Sequence, residues 1–592
     1  MKMHSFTSVL VFSALSIACS EQRICGTPAI TLNTALYDRA SSPMGYQNPG
    51  DEIITCSEAE QRIKAALTQT MEHNISNAAS YSPSCEGEFV ATTASAADPR
   101  ANQSETPRYT GTNNQVPGVD EGDRVKTDGS RFFVLSNRSI LVIDGWPADQ
   151  ARILHRETLS GTPLTLHWDG QSRRLTAALS NEIEKSIEFH TYQLNEAGTL
   201  QRLRVDSLPG TSIKKSAQVG GRIRGVVTDY LNYPDGVSWV ANSEEKKAEL
   251  VSRNAAQIES QNLKLCSNPN TSVRWNPAYG SSIARVFDLN LDEGTLEWAL
   301  EPSMPDSVLI TRESLYTASD SWSGRASIQR YLNVKGDQAP SHIRLSGRLV
   351  NSFAMDEYAG NFRVAVTESL SQTNASRIET FTIAQNTFER LGQSQELAPG
   401  EQIYSVRFDG LRAYVVTFRT VDPLFVINLE DVSKPVVVGE LKIPGYSTYL
   451  HPTSLHQLIG IGREGNALKV SLFDVEMKPR ETDSYQMQNR YSEAEWNHLA
   501  FKYFEHKELL AIPTSWNSVD LFSINAEAGI RPLLTIPMPL GSGAPDTYSP
   551  ACVAPMSFLG SVFIQNHLYV FSETGMSIVD TQVPAVTSQI LF

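Results

Sequence analysis

TNNQVPGVDEGDRVKTDGSRFFVLSNRSILVID, residues 112–144, is the stretch whose reading decides the fold. It holds a short apolar strand, Arg131–Ser136, then a turn, then a second apolar strand, Ile140–Ile143, closed by Asp144. Short apolar or alternating runs bounded by turn residues are strand signals. Upstream the chain is polar and patchy. Downstream the same strand–turn–strand unit recurs to the C-terminus. The acidic run Asp120, Glu121, Asp123 and Asp128, punctuated by Gly118, Gly122 and Gly129, reads as the lead-in to a sheet array.

The second strand of each unit is the most legible: Phe132–Leu135, Leu175–Leu179, Ile223–Val227, Leu315–Ala318, Phe362–Val366, Ala413–Thr417, Gln457–Ile461, Leu509–Ile512 and His567–Phe571. A third strand follows and often ends in Asp or Asn, as at Asn428, Asp474 and Asp580. That side chain is expected to cap the turn into a fourth strand. Units spaced by roughly 40–50 residues have the period of propeller blades. A closed ring also leaves so many short strands without open edges. The expected fold is therefore all-β: a β-propeller of eight to nine four-stranded blades with a small N-terminal helical segment. Nine is the direct count; eight holds if one unit is a hairpin completing another blade. A β-sandwich array is the structural runner-up.

The chain has 592 residues, more than one ordinary core holds unless the fold is a repeat array or a closed ring. Hydrophobic content of 41% and charged content of 19% are those of a globular protein. A formal net charge of −15 with no Lys/Arg run argues against a nucleic-acid partner.

Lys2, an apolar core around Val9–Leu15 and the run Leu15-Ser16-Ile17-Ala18-Cys19 predict a lipoprotein-type signal over residues 1–19, ending at a lipidated Cys19. Such signals often carry Leu where Ser16 stands, three residues before the cysteine. The expectation is an exported protein anchored at the cell envelope by lipid, with a released, secreted product as the alternative. None of the six cysteines falls in a C-x-x-C pair, so a zinc or thioredoxin-type reading has no support.

Residues 20–114 read as an N-terminal helical segment and linker. Ser57-Glu58-Ala59-Glu60 has the form of a capping box, and Ile63, Leu67 and Met71 share a face, so a helix is predicted over 57–75. The propeller is predicted over 115–592, with insertions at 230–278 and 537–556; residues 243–266 within the first read as a helix. Turns alternate between the two faces of an antiparallel blade. Both insertions, and with them Cys266 and Cys552, should therefore decorate one face. That makes Cys266–Cys552 the expected long-range disulfide.

Three stretches carry a family resemblance: QVPGVDEGDRVKTDG (115–129), SFAMDEYAGNFRVAV (352–366) and the run from PGEQIYSVRF (399) to HQLIGIGRE (464). They resemble secreted β-propeller proteins of bacteria and archaea distantly related to WD-repeat proteins. The resemblance covers residues 115–592. It implies a propeller and an extracytoplasmic place, and no reaction.

The binding candidates are Arg407, Arg419, Asp422, His451 and Arg463, with Tyr446 and Tyr449 among them. Arg419 and Arg463 follow second strands and are expected at the insertion-bearing mouth; Arg407 lies on an innermost strand. Guanidinium groups so placed can grip a carboxylate or sulfate bidentately. The alternative is an inter-blade Arg–carboxylate staple, with Asp356 and Glu357 as partners. G-x-S-x-G, H-E-x-x-H and the glycine-rich phosphate loops do not occur, so no catalytic residue, metal or cofactor is assigned. The acidic run misses the EF-hand spacing, and its carboxylates are expected to cap turns and pair with arginines such as Arg124. The function expected is a binding or scaffold module at the cell envelope, its partner a protein or glycan. The alternative is a hydrolase or lyase using the central channel through Arg407, Asp356, Glu357 and His451.

Overall fold

A computed structural model describes residues 52–77 and 108–592, except 231–232, 235, 240–242, 276–281, 302–303, 321–323, 333, 335–338, 370–372, 385–386, 419–421, 477, 516 and 540–557. The readings made for Cys19 and Arg419, and for Cys552 and most of its insertion, lie outside the described residues.

Nine sheets, each built on four antiparallel strands in chain order, follow one another along the chain, the third carrying a short fifth strand. Blade 1 comprises Val125–Thr127, Arg131–Ser136, Ser139–Asp144 and Arg152–Thr158; blade 9 runs from Phe558–Ile564 to Ala585–Leu591. The count is nine, not eight, because every unit completes its own four strands. Middle strands are buried on both faces, as in the apolar run Phe132–Leu135. Outer strands alternate, as in Arg480–Gln488, because only one side of each packs inward. Aromatic pairs fill the seams between blades: Phe133–Trp168 at 4.4 Å, Phe189–Phe287 at 5.1 Å, Tyr316–Phe362 at 4.9 Å and Phe504–Phe563 at 5.5 Å between ring centroids.

Side-chain oxygens of Asn428, Asp474, Asn525 and Asp580 accept from amides two residues on, so the Asp/Asn ending third strands caps the next turn as expected. Arginines at the start of second strands staple neighbouring blades. Arg174 donates to the Leu291 carbonyl at 3.0 Å, and Arg412 to the Val475 carbonyl at 2.9 Å. The ring closes between blades 9 and 1 without a shared strand. Phe132 packs on Phe571 at 5.0 Å, Tyr569 donates to the Gly145 carbonyl at 2.6 Å, and Arg124 pairs with Glu573 at 2.8 Å. Arg124 thus serves ring closure and does not pair with the acidic run.

Helix α1, Cys56–Asn77, is one residue longer at its start than the capping pattern suggested. Thr55, not Ser57, caps it: the Glu58 amide donates to Thr55 Oγ1 at 3.1 Å. Glu60 instead accepts from the Leu263 amide at 3.1 Å, tying α1 to the blade 3 insertion. Within that insertion, helix α2, Glu244–Ser260, is capped by Ser243. The apolar faces of the two helices meet around Ile63, Leu67, Met71, Leu250 and Ile258. Strand Glu52–Thr55 pairs with Ser272–Trp275 beside them.

Cys56 and Cys266 form a disulfide, with Cα atoms 6.2 Å apart. This corrects the expected Cys266–Cys552 pairing. The insertion folds onto α1 because α1 needs a partner for its apolar face, and that contact brings Cys266 to the helix start. No helix among the described residues is long and apolar enough to cross a membrane.

Candidate functional site

The acidic lead-in crosses the axis of the ring rather than merely entering the first blade. The Thr110 amide donates to the Phe563 carbonyl of blade 9 at 2.9 Å. Asn113 donates to Tyr449 Oη of blade 7 at 3.3 Å and to the His498 carbonyl at 2.8 Å. Asp120–Glu121 add a short fifth strand to the innermost strand of blade 3, and Asp123 bridges Leu166 of blade 2. Gly122 is required there, since a Cβ would collide with Thr165 Oγ1. The lead-in is therefore an axial plug that holds to blades 2, 3, 7 and 9.

Burial of charge in the plug is balanced by lysines. Glu121 is 3% exposed and meets Lys215 Nζ at 3.1 Å and His498 Nε2 at 3.6 Å. Burial pushes its carboxyl up to about 7, against the pull of Lys215. Lys126 bonds Asp120 and Thr112, each at 2.8 Å, and the Glu121 carbonyl. Burial likewise raises Asp123 and lowers Lys502, which donates to the Gly111 carbonyl at 3.0 Å. Asp128 caps its own turn, accepting from the Ser130 and Arg131 amides at 3.0 and 2.7 Å. Among the described residues no cluster of His, Cys, Asp or Glu could hold a metal ion.

Beside the plug, two of the sequence-selected residues come together. Arg407 is 8% exposed, and its guanidinium stands 5.4 Å from the Phe353 ring centroid. It has no hydrogen bond or carboxylate partner among the described residues, and its Nε is sealed from solvent. His451 lies one blade on and bonds Tyr449 Oη through Nδ1 at 3.2 Å. Burial, with the Arg407 charge second, holds His451 down to about 3, so it is neutral near pH 7. Burial pushes Tyr449 up to about 12.

Arg463 sits at the mouth with a different role. It forms a bidentate pair with Glu495 of the blade 7–8 connector, Nε to Oε1 at 2.7 Å and Nη2 to Oε2 at 2.8 Å. Glu495 also accepts from the Ser492 amide at 2.9 Å, which holds the connector's turn. Asp422 opens the third strand of blade 6 opposite Ile443. Asp356 and Glu357 pair with arginines other than Arg407 and Arg463: Asp356 with Arg363 at 2.8 Å, and Glu357 with Arg330 at 3.6 Å. The short reach of a strand side chain confines such pairs to the same or the adjoining blade. Arg463→Ala is expected to cost about 3 kcal/mol, because Glu495 stays largely buried without its cation. Urea unfolding checks this; loss of under about 1 kcal/mol, the range of an exposed pair, would refute a structural role.

Above the plug, on the insertion-bearing face, is a cavity of about 360 Å³. Lys214, Asp306, Asn351, Tyr404 and Trp496 line it, together with the buried Phe353, Tyr449 and His498. Sequence reasoning passed over Phe353, Trp496 and Lys214, because the chain positions that converge on the mouth are hundreds of residues apart.

An uncharacterised protein of Methanocaldococcus jannaschii is 35% identical over 240 residues, 40% of this chain and 36% of that protein. An uncharacterised protein of Archaeoglobus fulgidus is 39% identical over 173 residues, 29% of this chain and 27% of its own. The chain thus spans well under half the length of either relative. The solved periplasmic gluconolactonase of Pseudomonas aeruginosa is 11% identical, covers 52% of this chain and 91% of its own, and superposes with a TM-score of 0.32. The beta propeller domain model matches residues 109–583, from the plug to the last blade, and the chain belongs to that family.

Proposed function

We propose that this protein is an exported β-propeller scaffold, anchored through lipid on Cys19, that binds a protein or glycan at the insertion-bearing mouth. The observation that carries the binding reading is the filled axis. The plug occupies the space where a channel enzyme would take its substrate, while the mouth keeps a cavity walled by aromatic and polar side chains. The Cys56–Cys266 disulfide supports export, since such bonds persist in oxidising compartments.

Trp496 is 47% exposed and can be changed without opening the core. Trp496→Asp is expected to abolish capture of a partner from envelope extracts while the protein's melting temperature holds. Turnover of a glycan or peptide by the purified protein would instead favour a hydrolase. Labelling cells with a fatty-acid probe is expected to mark the wild type and not Cys19→Ala. An unlabelled wild type, or a mature chain that begins after Cys19, removes the anchor from the proposal.

A further inference from the structure

Two lysines, Lys214 and Lys215, and two carboxylates, Asp306 and Glu495, line the mouth cavity; Lys215 pairs with Glu121 and Glu495 with Arg463. The chain carries a net charge of −15. Yet Lys214 lines the cavity with no hydrogen-bonded or ion-paired partner among the described residues, Asp306 acting on it only through space. Arg407, outside the lining, stands 5.4 Å from the ring centroid of the lining residue Phe353; it is more than nine-tenths buried and equally without a carboxylate. A buried guanidinium left unpaired is costly, and an anion brought close offsets that cost. The neighbouring groups do not supply one: His451 is neutral, and Glu121 is engaged by Lys215. Tyr404, Trp496 and Asn351 are among the residues that line the cavity. Its volume, about 360 Å³, is near the lower end of small-ligand sites and suits a single ring.

We infer that the mouth binds an acidic sugar: a pyranose whose carboxylate is held by Lys214 and stabilised through space by Arg407, with the ring laid against Trp496 or Tyr404. The inference rests on the binding reading above and names its ligand. A flat aromatic face suits the apolar face of a sugar ring, and the polar wall suits its hydroxyls. The two unpartnered cations account for one carboxylate, which a neutral sugar lacks.

The test is calorimetric titration of the full-length protein with glucuronate, glucose and the dipeptide Ala-Ala, repeated on Lys214→Met and Arg407→Gln. Glucuronate should bind at least about tenfold more tightly than glucose, the loss expected when one charge-assisted hydrogen bond is missing. Lys214→Met should erase most of that preference at an unchanged melting temperature. Arg407→Gln should reduce it too; if that variant does not fold, the half-buried Lys214 position decides alone. Equal affinity for glucuronate and glucose, no sugar binding, tighter binding of Ala-Ala, or an unaltered preference in Lys214→Met each overturns the inference. If no sugar binds while Trp496→Asp still abolishes partner capture, the scaffold reading survives and only its ligand class falls.

Discussion

Reducing the Cys56–Cys266 bridge, or replacing both residues with serine, is expected to release the N-terminal unit from the propeller wall. The bridge closes a loop across a sequence separation of 210 residues. For a loop of that length the chain-entropy contribution is on the order of 5 kcal/mol. What remains to hold the unit is the α1–α2 contact, the two-stranded pairing of Glu52–Thr55 with Ser272–Trp275, and the Glu60 bond to the Leu263 amide. The blades do not depend on it, since their strands pair within each sheet. Hydrogen exchange should therefore show a selective loss of protection in residues 56–77 on reduction, with blade strands such as Gln457–Glu464 unchanged. Uniform loss across the ring would mean that the bridge supports the propeller as a whole. Unchanged protection in α1 would mean that apolar packing alone holds it.

Glu121→Gln is expected to remove a pH-dependent penalty from the plug. The carboxyl is raised in the folded state to about 7 from an ordinary value of 4.5. The folded protein thus holds a proton there that the unfolded chain has lost, between about pH 4.5 and 7. Stability from this group is full below 4.5, falls as pH rises through that window, and is lost above 7. The span corresponds to about 3 kcal/mol. Two histidines act in the opposite sense. His167, wholly buried, and His451 are both lowered by burial, so their charging destabilises the fold as pH falls below their ordinary value of 6.5. The wild-type profile mixes these effects, and the difference between wild type and Glu121→Gln isolates one of them. Measured by urea unfolding, the wild type should lose about 3 kcal/mol relative to the variant between pH 4.5 and 7.5. Parallel stability curves would show that Lys215 and His498 compensate the charge fully and that Glu121 is ionised throughout.

Both expectations concern features that one-dimensional patterns represent poorly. Strand positions, the Asp/Asn caps at Asn428, Asp474 and Asp580, and the helix around Ile63, Leu67 and Met71 were legible because each depends on neighbours a few residues away. Apolar runs must be buried wherever the chain goes, and a turn cap reaches two residues. Repetition of those local signals carried the blade count. The plug was not legible: residues 108–123 are polar and glycine-rich, and those of them that are buried, such as Asn113, Glu121 and Asp123, are so only because nine blades leave an axis wide enough to receive them. The partners of its charges, Lys215, His498 and Lys502, come from blade 3 and from blade 8 and its connector, and only ring closure brings them together.

The candidate site divides in the same way. Strand period and position along the chain were enough to put Arg407 on an innermost strand and Arg463 at the end of a second strand. That Arg463 is held by Glu495 while Arg407 stands unpaired beside Phe353 follows from the folded arrangement alone. Pairing between charges is a matter of distance through space, and the sequence separations involved are unrelated to it. The disulfide followed the same logic: which cysteine met Cys266 was decided by the apolar face of α1 finding α2, a contact between segments far apart in the chain that no local pattern encodes.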